Sequence, residues 1–155
     1  MKAAKVYRQL QRAGRTDCPI LASRRVGTVC ELIVRAQEVA SQLEDSGDDE
    51  TYTDFVAAEL VLSALTMMAN HGITINLETA AHAARNLRIY APPAPALVLQ
   101  ITRIVAATLF HLRSKDLPAA GFWLSYLIGV ALEIGQRSAR AFYTRAAALE
   151  TEAAQ

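Results

Sequence analysis

Apolar side chains recur at helical spacing through almost the whole of this chain, and nowhere does a run of β-branched residues alternate with period two. A helix repeats its faces every 3.6 residues and a strand every two, so the pattern points to helices packed on helices. The punctuation agrees. Gly14, His71-Gly72, the Pro92, Pro93 and Pro95 cluster, and Asp116-Leu117-Pro118 each end or begin a helix for a local reason. Glycine accepts the left-handed C-terminal conformation, proline fits the first turn, and an Asp or Asn side chain accepts an orphan N–H there.

Six helical segments follow from this reading. A basic amphipathic helix covers about residues 2–13, a second runs from about Ser23 to Leu43, and a third from about Tyr52 to Asn70. Asn76 caps a fourth, over Leu77 to about Tyr90; the fifth spans about Ala94 to Arg113, and the sixth continues from Leu117 to about Glu150. Gly129 and Gly135 offer the sixth a place to bend, and the AAALETEAAQ tail is expected to fray. The fifth is apolar almost all round, with Gln100, Arg103 and His111 on one thin stripe, so it is expected at the centre of the core. A cation there needs a partner, and the expectation for Arg103 is Glu59, Glu133 or the mouth of a polar pocket.

Size and composition fit one all-α domain over residues 1–155, a compact bundle of five or six helices. With 52% hydrophobic and only 6% aromatic residues, the core must close on Ala and Leu rather than on large rings. A chain of 155 residues buries roughly two-thirds of its unfolded surface and needs no staple. Cys18 and Cys30 have neither zinc-knuckle pairing nor a framework of further cysteines, which fits a reducing cytoplasm. No apolar signal segment opens the chain, and the run from Leu117 to Leu132 falls short of the roughly 20 residues that span a bilayer. The expectation is therefore a cytoplasmic protein without a membrane partner.

Charge is sorted by block. Residues 1–30 carry Lys2, Lys5, Arg8, Arg12, Arg15, Arg24 and Arg25 against Asp17 alone, whereas residues 31–60 carry nine acids against Arg35. Lys5, Arg8, Arg12 and Arg15 lie at i, i+3, i+7 and i+10 on one helix face with no acid beside them. Their mutual repulsion needs something to neutralise it. A phosphate backbone would do so, as would the acidic 44–54 segment of the same chain. Of 16 basic residues 13 are arginine, the side chain suited to bidentate contact with phosphate or carboxylate. The candidate nucleic-acid-binding residues are Lys5, Arg8, Arg12, Arg15, Arg24 and Arg25.

Other chemistry finds no matching pattern. His71 falls at a helix end, His82 between Glu78 and Arg85 on a solvated face, and His111 is separated from Arg103 by seven residues, too far for a compact Arg–His ribonuclease motif. Residues 44–51 read as an exposed acidic linker; its glycine does not stand where an EF-hand loop requires one, so neither a metal nor another cofactor is expected. Gly72 with the Asn76–Tyr90 helix, presenting Arg85 and Arg88, has the outline of a helix–turn–helix, but Glu78 stands where such motifs take an apolar residue.

Val6-Tyr7-Arg8, followed by Leu10 and Arg12, resembles the opening of the mitochondrial LYR-motif proteins, helical bundles that bind acyl carrier protein. Val6 stands in place of the leucine, and the likeness ends with this segment. In organisation alone the chain is similar to the small helical subunits of ribonucleoprotein machines such as CRISPR effectors. The resulting expectation is a non-catalytic helical subunit or adaptor that binds nucleic-acid backbone without reading sequence. The alternatives are a protein-interaction or oligomerisation module with complementary charge blocks, and third a small helical enzyme acting through His111 and Arg103.

Overall fold

The computed structural model describes residues 29–45 and 50–154. Lys5, Arg8, Arg12, Arg15, Arg24, Arg25 and Cys18 lie outside the described residues, as do the basic helix over about 2–13 and positions 46–49 of the acidic linker. The protein is an all-α bundle. Five helices follow one another in the described residues: α1 (Val29–Glu44), α2 (Glu50–Asn70), α3 (Leu77–Tyr90), α4 (Ala94–Arg113) and α5 (Leu117–Ala154).

Local chemistry sets the boundaries. At the end of α2, Gly72 takes φ 66° while its N–H reaches the Ala69 carbonyl at 3.2 Å and that of Ile73 reaches Met68 at 2.8 Å. These are the two bonds of a glycine C-terminal motif. Asn76 then caps α3: its side-chain oxygen accepts from Thr79 N–H at 3.2 Å, and its own N–H donates to the buried Ser125 hydroxyl at 3.0 Å. The start of α3 is thereby tied to α5. Asp116 caps α5 through Ala119 N–H at 3.2 Å.

The centre of the bundle is α5, which packs against α2, α3 and α4, while α1 covers α2 and α4. Leu124, Leu127, Ile128, Val130, Ala131 and Ile134 are all buried. This corrects the placement of α4 at the core. Arg103 is exposed, and Leu99 and Phe110 are half or more exposed. Apolar residues all round a helix do not make it central, because a central helix must also admit neighbours closely on several sides. The small residues that allow this are on α5. Gly121 meets Ile73, Gly129 abuts the Ala80 backbone of α3, and Gly135 lies against the Asp54 carboxylate of α2. Gly129 and Gly135 thus serve close approach, and α5 runs as one helix to Ala154.

Among the described residues three stretches, Tyr52–Asn70, Ala94–Arg113 and Leu117–Arg137, are long and apolar enough to cross a membrane. The expectation that the last was too short fails because its helix continues through Glu133. Between α1 and α2 an ionic cluster accompanies the apolar packing of Leu32, Ala36 and Val39. Arg35 reaches both Glu38 oxygens at 3.0 Å and stands 2.9 Å from Glu59 Oε2, a contact off the hydrogen-bond direction. Glu31, at i, i+4 spacing to Arg35, is farther away at 3.8 Å.

Candidate functional site

Glu133 breaks the apolar run of α5 and is followed by Arg137 at i+4 and Arg140 at i+7. Helical spacing sets these three on one side of α5. That side meets the end of α3, where Arg88 stands in the last turn and Arg85 one turn before it. Glu133 is buried to 1% exposure. An isolated carboxylate at such a depth is strongly unfavourable, so it must be paired. Its Oε1 accepts from Arg140 Nη2 at 2.9 Å and, more distantly, from Arg88 Nε at 3.5 Å, while its Oε2 accepts from Arg88 Nη2 at 3.2 Å. Arg137 turns inward and donates through Nη2 to the Leu87 carbonyl. A cation there also meets the negative end of the α3 dipole.

One carboxylate therefore fixes two guanidiniums, and a carbonyl fixes a third. The Arg88 and Arg140 side chains nevertheless remain about half exposed, at 54% and 53%. Each guanidinium carries five N–H donors in a rigid fork. Glu133 takes only some of them, so outward-facing donors remain for a second oxyanion. Arg85, exposed on the preceding turn, adds to the same positive surface. Four arginines around one buried acid make this surface positive, and three of them are already held in place by Glu133 and the Leu87 carbonyl.

The residues singled out from sequence for other chemistry are not brought together. His71 is exposed beyond the end of α2, and His82 is exposed with its Nε2 3.1 Å from Asn86 Nδ2. His111, partly buried, stands edge-on to Phe110 and makes a long contact to Asp116, at 3.9 Å. Neither Glu59 nor Glu133 pairs with Arg103: the first belongs to Arg35 and the second to Arg88 and Arg140. Arg103 instead borders an open groove of about 510 Å³ between α4 and α5, walled by Leu99, Ile104, Phe122, Trp123 and Tyr126. Among the described residues no three His, Cys, Asp or Glu side chains are grouped to hold a metal ion.

The Glu133–Arg137–Arg140 pattern was visible in the sequence as an acid inside an apolar helix with cations at i+4 and i+7. Its partner Arg88, 45 residues away, was not. Comparison of the chain with protein-family models, with curated proteins and with solved structures finds no match.

Proposed function

We propose that this protein is a non-catalytic, cytoplasmic helical adaptor that holds nucleic-acid backbone without reading its sequence, and that the Arg85, Arg88, Arg137 and Arg140 face is part of the contact. The observation that carries the reading is the sharing of buried Glu133 between two half-exposed guanidiniums. Phosphate recognition by arginine rewards forks already held in place, since less side-chain freedom is then lost on binding. The basic residues Lys5, Arg8, Arg12 and Arg15 supply the same chemistry over a longer stretch of polyanion.

Salt dependence tests it. Anisotropy of a labelled 20-nucleotide single strand, titrated with the full chain between 50 and 300 mM salt, should show log affinity falling linearly with log salt, with about 0.7 per phosphate neutralised. Replacing Arg85 and Arg140 by alanine keeps Arg88 on Glu133 and should flatten the slope by about 1.4; replacing Arg8 and Arg12 should do the same. Both losses should be equal across sequences, because phosphates carry no base identity. Absence of binding at micromolar protein, or a slope indifferent to both pairs of substitutions, overturns the proposal.

A further inference from the structure

The outward row of α4 reads Ala96, Leu99, Arg103, Ala106, Phe110 and Arg113, with steps of three and four residues throughout. All six are exposed, Phe110 to 65%. Three–four spacing is the seam by which one helix packs nearly parallel or antiparallel to another. Here no described helix occupies it, and neither Arg103 nor Arg113 pairs with a carboxylate among the described residues. An occupant should thus bring a helix, apolar contacts and negative charge. A lipid surface brings apolar contacts and, at anionic headgroups, negative charge, but no helix, and burying this face in hydrocarbon would take with it Arg103, which stands halfway along α4, at a high cost.

The chain itself carries a matching element. From Ala147 to Glu152 every side chain of α5 is exposed, Leu149 to 65%, and this last stretch bears Glu150 and Glu152 with no ion pair among the described residues. Leu149 and Glu152 are one turn apart and share a face. We propose that a second copy of this chain covers the α4 face: the C-terminal turns of α5 from each protomer lie along α4 of the other, with Leu149 between the helices and Glu150 and Glu152, on either side of it, reaching toward Arg103 and Arg113. Lengths agree, and signs agree over the last turns, where Glu150 and Glu152 follow Arg145. The part of α5 beyond Arg137 extends roughly 25 Å at 1.5 Å per residue, and α4 about 30 Å. A two-fold axis that sets the start of this extension beside the N-terminus of the partner's α4 brings Glu150 and Glu152 to a level between Arg103 and Arg113. The same operation seats the partner's extension reciprocally, which closes the pair.

The test is charge exchange on the full chain, read by sedimentation velocity between 1 and 100 µM protein. The parent should sediment as a dimer of twice 16.8 kDa. Glu150→Arg with Glu152→Arg, and separately Arg103→Glu with Arg113→Glu, should each weaken dimerisation by about tenfold or more at unchanged helicity. Joining all four substitutions should restore it. A parent that stays monomeric, a dimer indifferent to both reversals, or a fourfold variant that remains dissociated overturns the inference. So does co-flotation of the parent with neutral phosphatidylcholine vesicles that Phe110→Glu abolishes, which would assign the face to lipid. Because none of the four positions belongs to the Glu133 cluster, failure here leaves the phosphate-binding reading untouched.

Discussion

Lys115 and Gly72 occupy the same place in two helix ends. In each, the backbone is left-handed, φ 58° at Lys115 and 66° at Gly72, and the next residue's N–H reaches back to close the motif. A Cβ in that conformation crowds the following carbonyl at a cost of about 1 kcal/mol. Gly72 has no neighbour that a Cβ would strike, so the backbone alone decides the effect there. Lys115→Gly should therefore stabilise by about 0.5–1 kcal/mol and Gly72→Ala destabilise by a similar amount, read as opposite shifts of the urea midpoint at constant m. Asp54 supplies a pH-dependent counterpart. Burial against Gly135 raises its pKa above the ordinary carboxylate value. The native protein then binds this proton more readily than the unfolded chain, so the group favours folding increasingly as pH falls through the raised value. Asp54→Asn should be more stable than the parent at pH 7, with the difference shrinking toward pH 4.

Among the elements, α5 succeeds as a spine because of what it lacks. A Cβ at Gly129 would run into the carbonyl of Ala80, backbone against backbone, whereas at Gly121 it would meet only the Ile73 side-chain tip at 2.8 Å. Gly129→Ala should cost about 3 kcal/mol and Gly121→Ala within about 1, in thermal or urea unfolding. The helix boundaries at Gly72, Asn76 and Asp116 were legible in the sequence because each is decided within four residues. The place of α4 was not: an apolar helix states how much it can bury, while what covers it depends on glycines elsewhere in the chain. The arginine face was half legible. Glu133, Arg137 and Arg140 are helical neighbours, but Arg88 joins them only through the packing of α3 on α5, and the six basic residues chosen from sequence lie outside the described residues.

At the scale of the whole molecule the joint between α3 and α5 depends on that buried acid. Removing one arginine leaves Glu133 a partner, since Arg88 and Arg140 each donate to it directly. Removing both strands a carboxylate that is 1% exposed, a loss of about 3–5 kcal/mol by the usual cost of breaking a buried pair. The single variants Arg88→Ala and Arg140→Ala should accordingly sum to much less than the double. Adding Glu133→Leu to the double variant should recover most of the stability, because an apolar side chain of similar size needs no partner in that position. Trp123, the only tryptophan, sits on α5 and reports its burial, while far-ultraviolet circular dichroism reports all helices together. A shared spine predicts that both signals change in one transition in the parent, in the double variant at lower urea, and in the triple variant close to the parent's midpoint. If the double variant loses no more than the sum of its singles, the carboxylate is not the centre of that joint. If the triple variant recovers stability but still binds the oligonucleotide with the parent's salt slope, the half-exposed guanidiniums are not the phosphate contacts.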